Sequence, residues 1–140
     1  MTATIDFYSQ EARKPMLSDP EDTDLVVGKD FLGYTPLNHP RGECVADVIA
    51  VTGLAGHAFG SWRHEDGKMW LRDLLPQDLP AVRVMIYGYS AQVQGATQAT
   101  SILEDHAETF RQRLLSFRRF EPKRPLILIV SPFDPRVGEI

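Results

Sequence analysis

The residues best suited to chemistry lie at the ends of three apolar runs. Thr52, Gly53, Leu54, Ala55, Gly56 and His57 follow the run at 45–51 directly. Glycines permit turns in which successive backbone N–H groups point into one concavity, so Gly53 to Gly56 are a candidate oxyanion or phosphate loop. A plain strand-to-helix turn would use the same glycines. The loop lacks G-x-G-x-x-G, and no Gly-Lys-Ser/Thr follows, so it is neither a dinucleotide fingerprint nor a P-loop. His57 sits in the loop and is a candidate base if a partner comes within hydrogen-bond reach. The second run ends at Tyr87, Gly88, Tyr89 and Ser90, where Tyr87 and Tyr89 either shape a pocket or pack as ordinary aromatics. The third ends at Val130, Ser131, Pro132 and Phe133. An acyl-transfer serine needs a sharp elbow with small flanking residues and a helix behind it. Ser131 is followed instead by Pro132, Phe133, Asp134 and Pro135, which reads as a turn. His64 and His106 complete the candidate bases, with His106 reading as a packed or surface side chain on a helix.

Composition bounds what these residues can serve. The chain has 140 residues, 43% apolar and 24% charged, which suits one globular domain. A single cysteine, Cys44, cannot form an internal disulfide, so a reducing, cytoplasmic location is expected. Cys44, His39, His57, His64 and His106 have no metal-site spacing, and neither metal nor cofactor is expected. No apolar run approaches the roughly 18–20 residues of a membrane span, and the N-terminus carries no secretory signal pattern. The formal charge is −4. Residues 1–44 hold eight acids and four bases, and the remainder holds eleven of each. Neither part has the positive excess that nucleic acid binding requires.

The elements that must position these residues are legible as patterns. Residues 1–30 form an acidic leader; its polar stretch from 9 to 24 has two prolines and no period, and is expected to be disordered. Residues 31–37 suit a short edge strand, with Pro36 keeping them from a sheet centre. Residues 45–51 are a β-branched, nearly continuous apolar run that suits a strand covered on both faces. Asp47 interrupts that run, so it lies near the strand's amino end or pairs locally. Residues 65–68 read as a tight turn and 69–75 as a short helix stopped at Pro76. Trp62 and Trp70 read as core anchors. A second strand is expected at 82–88 and a loop at 90–99. Ser101 and Glu104 have capping-box spacing. Leu103, Ala107, Phe110, Leu114 and Phe117 then give one apolar helical stripe. The arginines between 111 and 119 read as a solvated face, and Pro122 ends the helix. Residues 125–130 suit a third buried strand. Alternation of strands and helices predicts an α/β fold with a parallel sheet.

The stretches 47–62, 70–80 and 83–89 resemble the first conserved block of lipase-like α/β-hydrolases. These are the serine esterase domains of the DUF676 and serine-active-site-containing type. Related domains stand at the N-terminus of fungal NACHT or NB-ARC (NOD-like receptor) proteins. The resemblance runs from about Leu32 to Val130. It implies the N-terminal part of an α/β-hydrolase fold, three parallel strands plus an edge strand, within residues 31–140. It also implies an oxyanion loop at Gly53, Leu54, Ala55 and Gly56, with Leu54 and Ala55 as backbone donors. Thr52 stands where the family has histidine and Ala55 where it has glycine. At the nucleophile elbow, Gly-His-Ser-Leu-Gly-Gly in the family, this chain reads Val130, Ser131, Pro132, Phe133, Asp134 and Pro135. Pro132 thus occupies the nucleophile position, and Ser131 falls one residue early. The resemblance therefore implies a truncated serine esterase domain, catalytically inactive in this chain. The alternative is a recognition module that binds a ligand or partner without chemistry. An uncovered edge at the third strand would invite a protein partner or self-association.

Overall fold

The computed structural model describes residues 11, 31–53, 56–90, 99–120 and 123–131. Apart from residue 11, the acidic leader lies outside the described residues, as do positions 91–98 of the loop expected at 90–99 and the turn beginning at Pro132.

Four strands form one sheet: β1 (Gly33–Pro36), β2 (Ala46–Val51), β3 (Val82–Gly88) and β4 (Leu126–Val130). Their spatial order is β1-β3-β2-β4, with β2, β3 and β4 parallel and β1 antiparallel to β3. The helices are α1 (Trp70–Asp73), α2 (Leu75–Asp78) and α3 (Ala99–Phe120), with a 3-10 turn at Gly60–Trp62. Strands and helices alternate, giving a mixed α/β sheet. Val48, Ala50, Val82, Val84 and Ile86 are buried on one face with Ala58, Met69 and Leu71. Ile49, Met85 and Tyr87 are buried on the other, against Phe110, Leu114 and Phe117 of α3. Successive strand residues point to opposite faces, and covering both faces explains why β2 and β3 are apolar nearly throughout.

Pro36 closes the edge strand, and the ladder continues through a side chain. The Asn38 amide donates to Val82 O (2.8 Å) and accepts from Val84 N (2.8 Å), standing in for a backbone pair. The turn before α1 forms as its residues predict. Gly67 adopts φ +88°, and Asp66 Oδ1 accepts from Lys68 N at 2.9 Å. Gly88 is required by a close approach: a Cβ there would fall on Phe31 O and Ala58.

Several sequence expectations need correction. Pro76 does not stop a helix. It lies in the first turn of α2, where its missing N–H costs nothing, so one expected helix is two single turns. The capping-box reading fails because α3 begins at Ala99, which places Ser101 inside the helix. Phe110, Leu114 and Phe117 of the predicted stripe do pack inward, whereas Ala107 is exposed. Trp70 is 39% exposed, with its ring edge-on to Trp62. The third strand is not buried as its composition suggests but is the uncovered edge that the resemblance implies: β4 ends the sheet, and Ile127, Leu128 and Val130 are 50%, 46% and 65% exposed.

Asp47 lies near the amino end of β2, but its partners are distant in sequence. It is fully buried on the α3 side of the sheet. Arg83 Nε on β3 donates to Oδ1 at 2.8 Å. Arg124 Nε and Arg118 Nη1 approach Oδ2 at 3.4 and 3.6 Å. Arg118 therefore leaves the solvated helix face predicted for it. Arg111 stays there, paired to Glu108 at 2.7 Å.

Candidate functional site

In open α/β sheets, ligands collect beyond the carboxyl ends of the strands, where the strand order reverses. From β2 the chain passes to β3 on one side and then returns to β4 on the other. The reversal point is therefore between β2 and β4, and the glycine loop leaves β2 there. Register pairs Val51 with Val130, so Thr52 and Ser131 are the next residues out of the two strands. The backbone N–H of Ser131 donates to Val51 O at 3.0 Å, which holds the two exits together.

A short hydrogen-bond chain shapes the loop. Thr52 is buried, and its hydroxyl donates to Ser61 Oγ at 2.9 Å. The Tyr89 hydroxyl donates to Thr52 O at 2.9 Å, tying the end of β3 to the end of β2. Gly56 N donates to Gly53 O at 3.1 Å, which closes the turn. A Cβ at Gly56 would overlap Thr52 Oγ1 and lie 2.8 Å from Ser61 Oγ, so this position has room only for glycine. Leu54 and Ala55, the donors that the resemblance implies, lie outside the described residues.

His57 is exposed, and its Nδ1 accepts from Gly60 N (2.9 Å) and Phe59 N (3.2 Å). A neutral imidazole that accepts at Nδ1 carries its proton on Nε2. His57 thus acts as a cap for the 3-10 turn, and in that state neither nitrogen has a lone pair for a substrate proton. The Phe31 ring meets it edge-on at 5.8 Å.

The two tyrosines separate. Tyr87 is 2% exposed and packs in the core beside Tyr34 and Phe110, with centroids at 5.0 and 4.8 Å. Tyr89 lies nearer the crevice, with its ring 4.8 Å from that of His106, and burial raises its phenol pKa. His106 Nε2 is buried and has no hydrogen-bond partner among the described residues. His64 is remote from this group, pairing with Asp66 in the 65–68 turn at 3.1 Å. Pro132 lies outside the described residues.

Sequence reasoning missed Ser61, whose hydroxyl accepts from Thr52; nothing in its local pattern marks it. It also missed the Asp47 cluster as a unit. The available signal was a lone acid in one apolar strand and a lone arginine, Arg83, in the next. Among the described residues, no three His, Cys, Asp or Glu side chains come together to hold a metal. No helix among them is long and apolar enough to cross a membrane.

No protein-family model matches this chain, and comparisons with curated proteins and with solved structures give no match.

Proposed function

We propose that this chain is a lipase-like α/β-hydrolase domain of the serine esterase kind that binds at its carboxyl-end crevice without hydrolysing what it holds. The observation that carries this reading is the position of the glycine loop at the reversal of strand order, pinned to the end of β4 through Ser131 N and Val51 O. The mixed sheet, with three parallel strands and an antiparallel edge strand, supports the same assignment. The loss of chemistry follows from residue type. Proline at position 132 offers no group to attack a carbonyl, and His57 is engaged as a cap. Backbone donors alone stabilise an oxyanion but supply neither nucleophile nor base. The ligand class that suits such a cradle is a carboxylate or the carbonyl of an ester.

The test has two arms. With p-nitrophenyl butyrate and a fluorophosphonate probe, the purified chain should show no turnover and no labelling. Labelling lost on Ser131→Ala would overturn the inactive assignment. Titration with butyrate should shift the amide resonances of Gly53, Gly56 and Ser131, and unmoved resonances would refute the binding site.

A recognition role toward a protein is the second reading, favoured by one observation. The β4 edge presents Ile127, Leu128 and Val130 to solvent. Apolar strand edges pair readily with other strands. Analytical ultracentrifugation would then show self-association that Leu128→Lys removes; a monomer at all concentrations would count against it.

A further inference from the structure

The two edges of the sheet are built differently. β1 closes on Pro36 and hands its ladder to the Asn38 side chain. β4 is Leu-Ile-Leu-Ile-Val, with no charge, proline or glycine inside it to discourage a neighbouring strand. Leu128 and Val130 are exposed on its α3 face and Ile127 on the other.

The direction of the β4 backbone groups follows from its bonds to β2. Asp47 N donates to Pro125 O at 2.9 Å, and Ser131 N donates to Val51 O at 3.0 Å. Along a strand, alternate residues turn both N–H and C=O to the same side. Positions 125, 127, 129 and 131 therefore face β2, and Leu126, Leu128 and Val130 turn theirs outward. These three residues select a register for pairing with an identical strand. In an antiparallel pair centred on Leu128, Leu128 meets its own copy and Leu126 meets Val130, so all three outward residues exchange backbone hydrogen bonds. Ile127 meets Ile129 on the opposite face. Centring on Ile127 would call on Arg124 O, which already accepts from Arg118 Nη2. Centring on Ile129 would call on Pro132, which has no N–H.

Helix α3 adds a charge pattern that fits the same arrangement. His106 lies beside Tyr89 at the carboxyl end of β3, and Arg118 reaches Asp47 at the amino end of β2, so α3 runs antiparallel to β4. Exposed Glu104 and Asp105 therefore stand at the carboxyl ends of the strands, and exposed Arg119 and Lys123 at the amino ends. An antiparallel copy brings each acidic end toward the other's basic end, whereas a parallel one sets like beside like. We infer that β4 binds a second copy of this chain, in an isologous antiparallel pair centred on Leu128 that joins two sheets into one. This rests on the second reading above, recognition of a protein through the β4 edge, and names the partner.

Cross-linking in a Cys44→Ser background tests the pairing, at concentrations where sedimentation shows association. Leu128→Cys would lie about 5.5 Å from its copy between Cα atoms, within disulfide reach. Val130→Cys would lie four residues along the strand from its copy, roughly 13 Å, beyond reach. Oxidised glutathione should therefore give covalent dimer with Leu128→Cys and almost none with Val130→Cys. Raising salt from about 50 to 500 mM should weaken association severalfold. Association without preference for Leu128→Cys, or that salt does not weaken, would overturn this pairing and leave protein recognition at the edge standing. A monomer up to about 1 mM would overturn both.

Discussion

Replacing Asp47 by alanine should be among the most damaging single changes in this chain. The carboxylate is fully buried, and three guanidinium groups lie 2.8, 3.4 and 3.6 Å from it. All three arginine side chains are at most 26% exposed, so water cannot fully replace the lost partner. Removing one member of a buried ion pair typically costs about 3–5 kcal/mol, because the remaining charge stays desolvated. Here the charges left behind also repel one another, which places the expected loss at the upper end of that range. Small domains have only about 5–15 kcal/mol in total. At roughly 3–5 °C per kcal/mol for a chain of 140 residues, a loss of about 5 kcal/mol should lower the thermal midpoint by about 15–25 °C. Urea denaturation followed by the fluorescence of Trp62 and Trp70 measures the change. Arg83→Met should recover part of the loss when combined with Asp47→Ala, and Arg118→Met should recover less, in the order of the distances. A loss below about 1 kcal/mol for Asp47→Ala, or equal coupling to both arginines, would refute the reasoning.

Other perturbations should read out separate parts of the structure. Gly56→Ala should destabilise by about 1–3 kcal/mol through overlap with Thr52 Oγ1 and Ser61 Oγ, and Thr52→Ala in the same chain should relieve part of that; calorimetry compares the two. Tyr34 has its phenol pushed up to about 12, chiefly by burial. The folded state then holds this proton more tightly than the unfolded state, so stability should decline as pH rises from 10 to about 12, and Tyr34→Phe should flatten that decline in a denaturation series. Glu108 is held down to about 2, first by its hydrogen bond from Arg111. Its contribution to α3 should be present above pH 4.5 and disappear as pH falls toward 2, which circular dichroism of wild type and Glu108→Gln would show. Asn38→Ala removes both side-chain bonds to β3 and should cost about 1–3 kcal/mol, with faster amide exchange at Val84.

The centre of the sheet was legible in the sequence because β2 and β3 are buried on both faces. Continuous β-branched runs at 46–51 and 82–88 have few other uses, and Pro36 marks an edge by chemistry alone. The helix boundaries were less legible. Pro76 is compatible with either a stop or a first turn, and only the chain path between α1 and α2 decides. Ser101 has the spacing of a cap, yet α3 begins two residues earlier, so spacing alone did not place the helix start. The run Leu126–Val130 reads as buried because its composition matches β2; its edge position was expected from the resemblance and not from composition, which cannot reveal it. The glycine loop was legible as a turn at a strand end, since Gly53 and Gly56 follow an apolar run directly, and Gly56 has no room for a Cβ. The fate of His57 was not: whether a histidine accepts protons from substrate or from its own backbone depends on two N–H directions that no spacing encodes.

The Asp47 cluster also explains how a chain with such uniform strands finds one register. Val48, Ile49 and Ala50 on β2, and Val84, Met85 and Ile86 on β3, are interchangeable enough that apolar burial alone discriminates weakly between neighbouring alignments. Asp47 pairs in register with Arg83, and both side chains lie on the α3 face. A slip of one residue would send Arg83 to the opposite face, among Met69 and Leu71, and leave two buried charges separated. Arg118 extends the same constraint to the last turns of α3, and Arg124 extends it to the start of β4. One carboxylate therefore aligns four elements, and its lone position in an apolar strand makes each wrong alignment costly. Buried charges are poor sources of net stability, and in some proteins they secure a single arrangement instead; here the buried pair falls where the strands carry least other information.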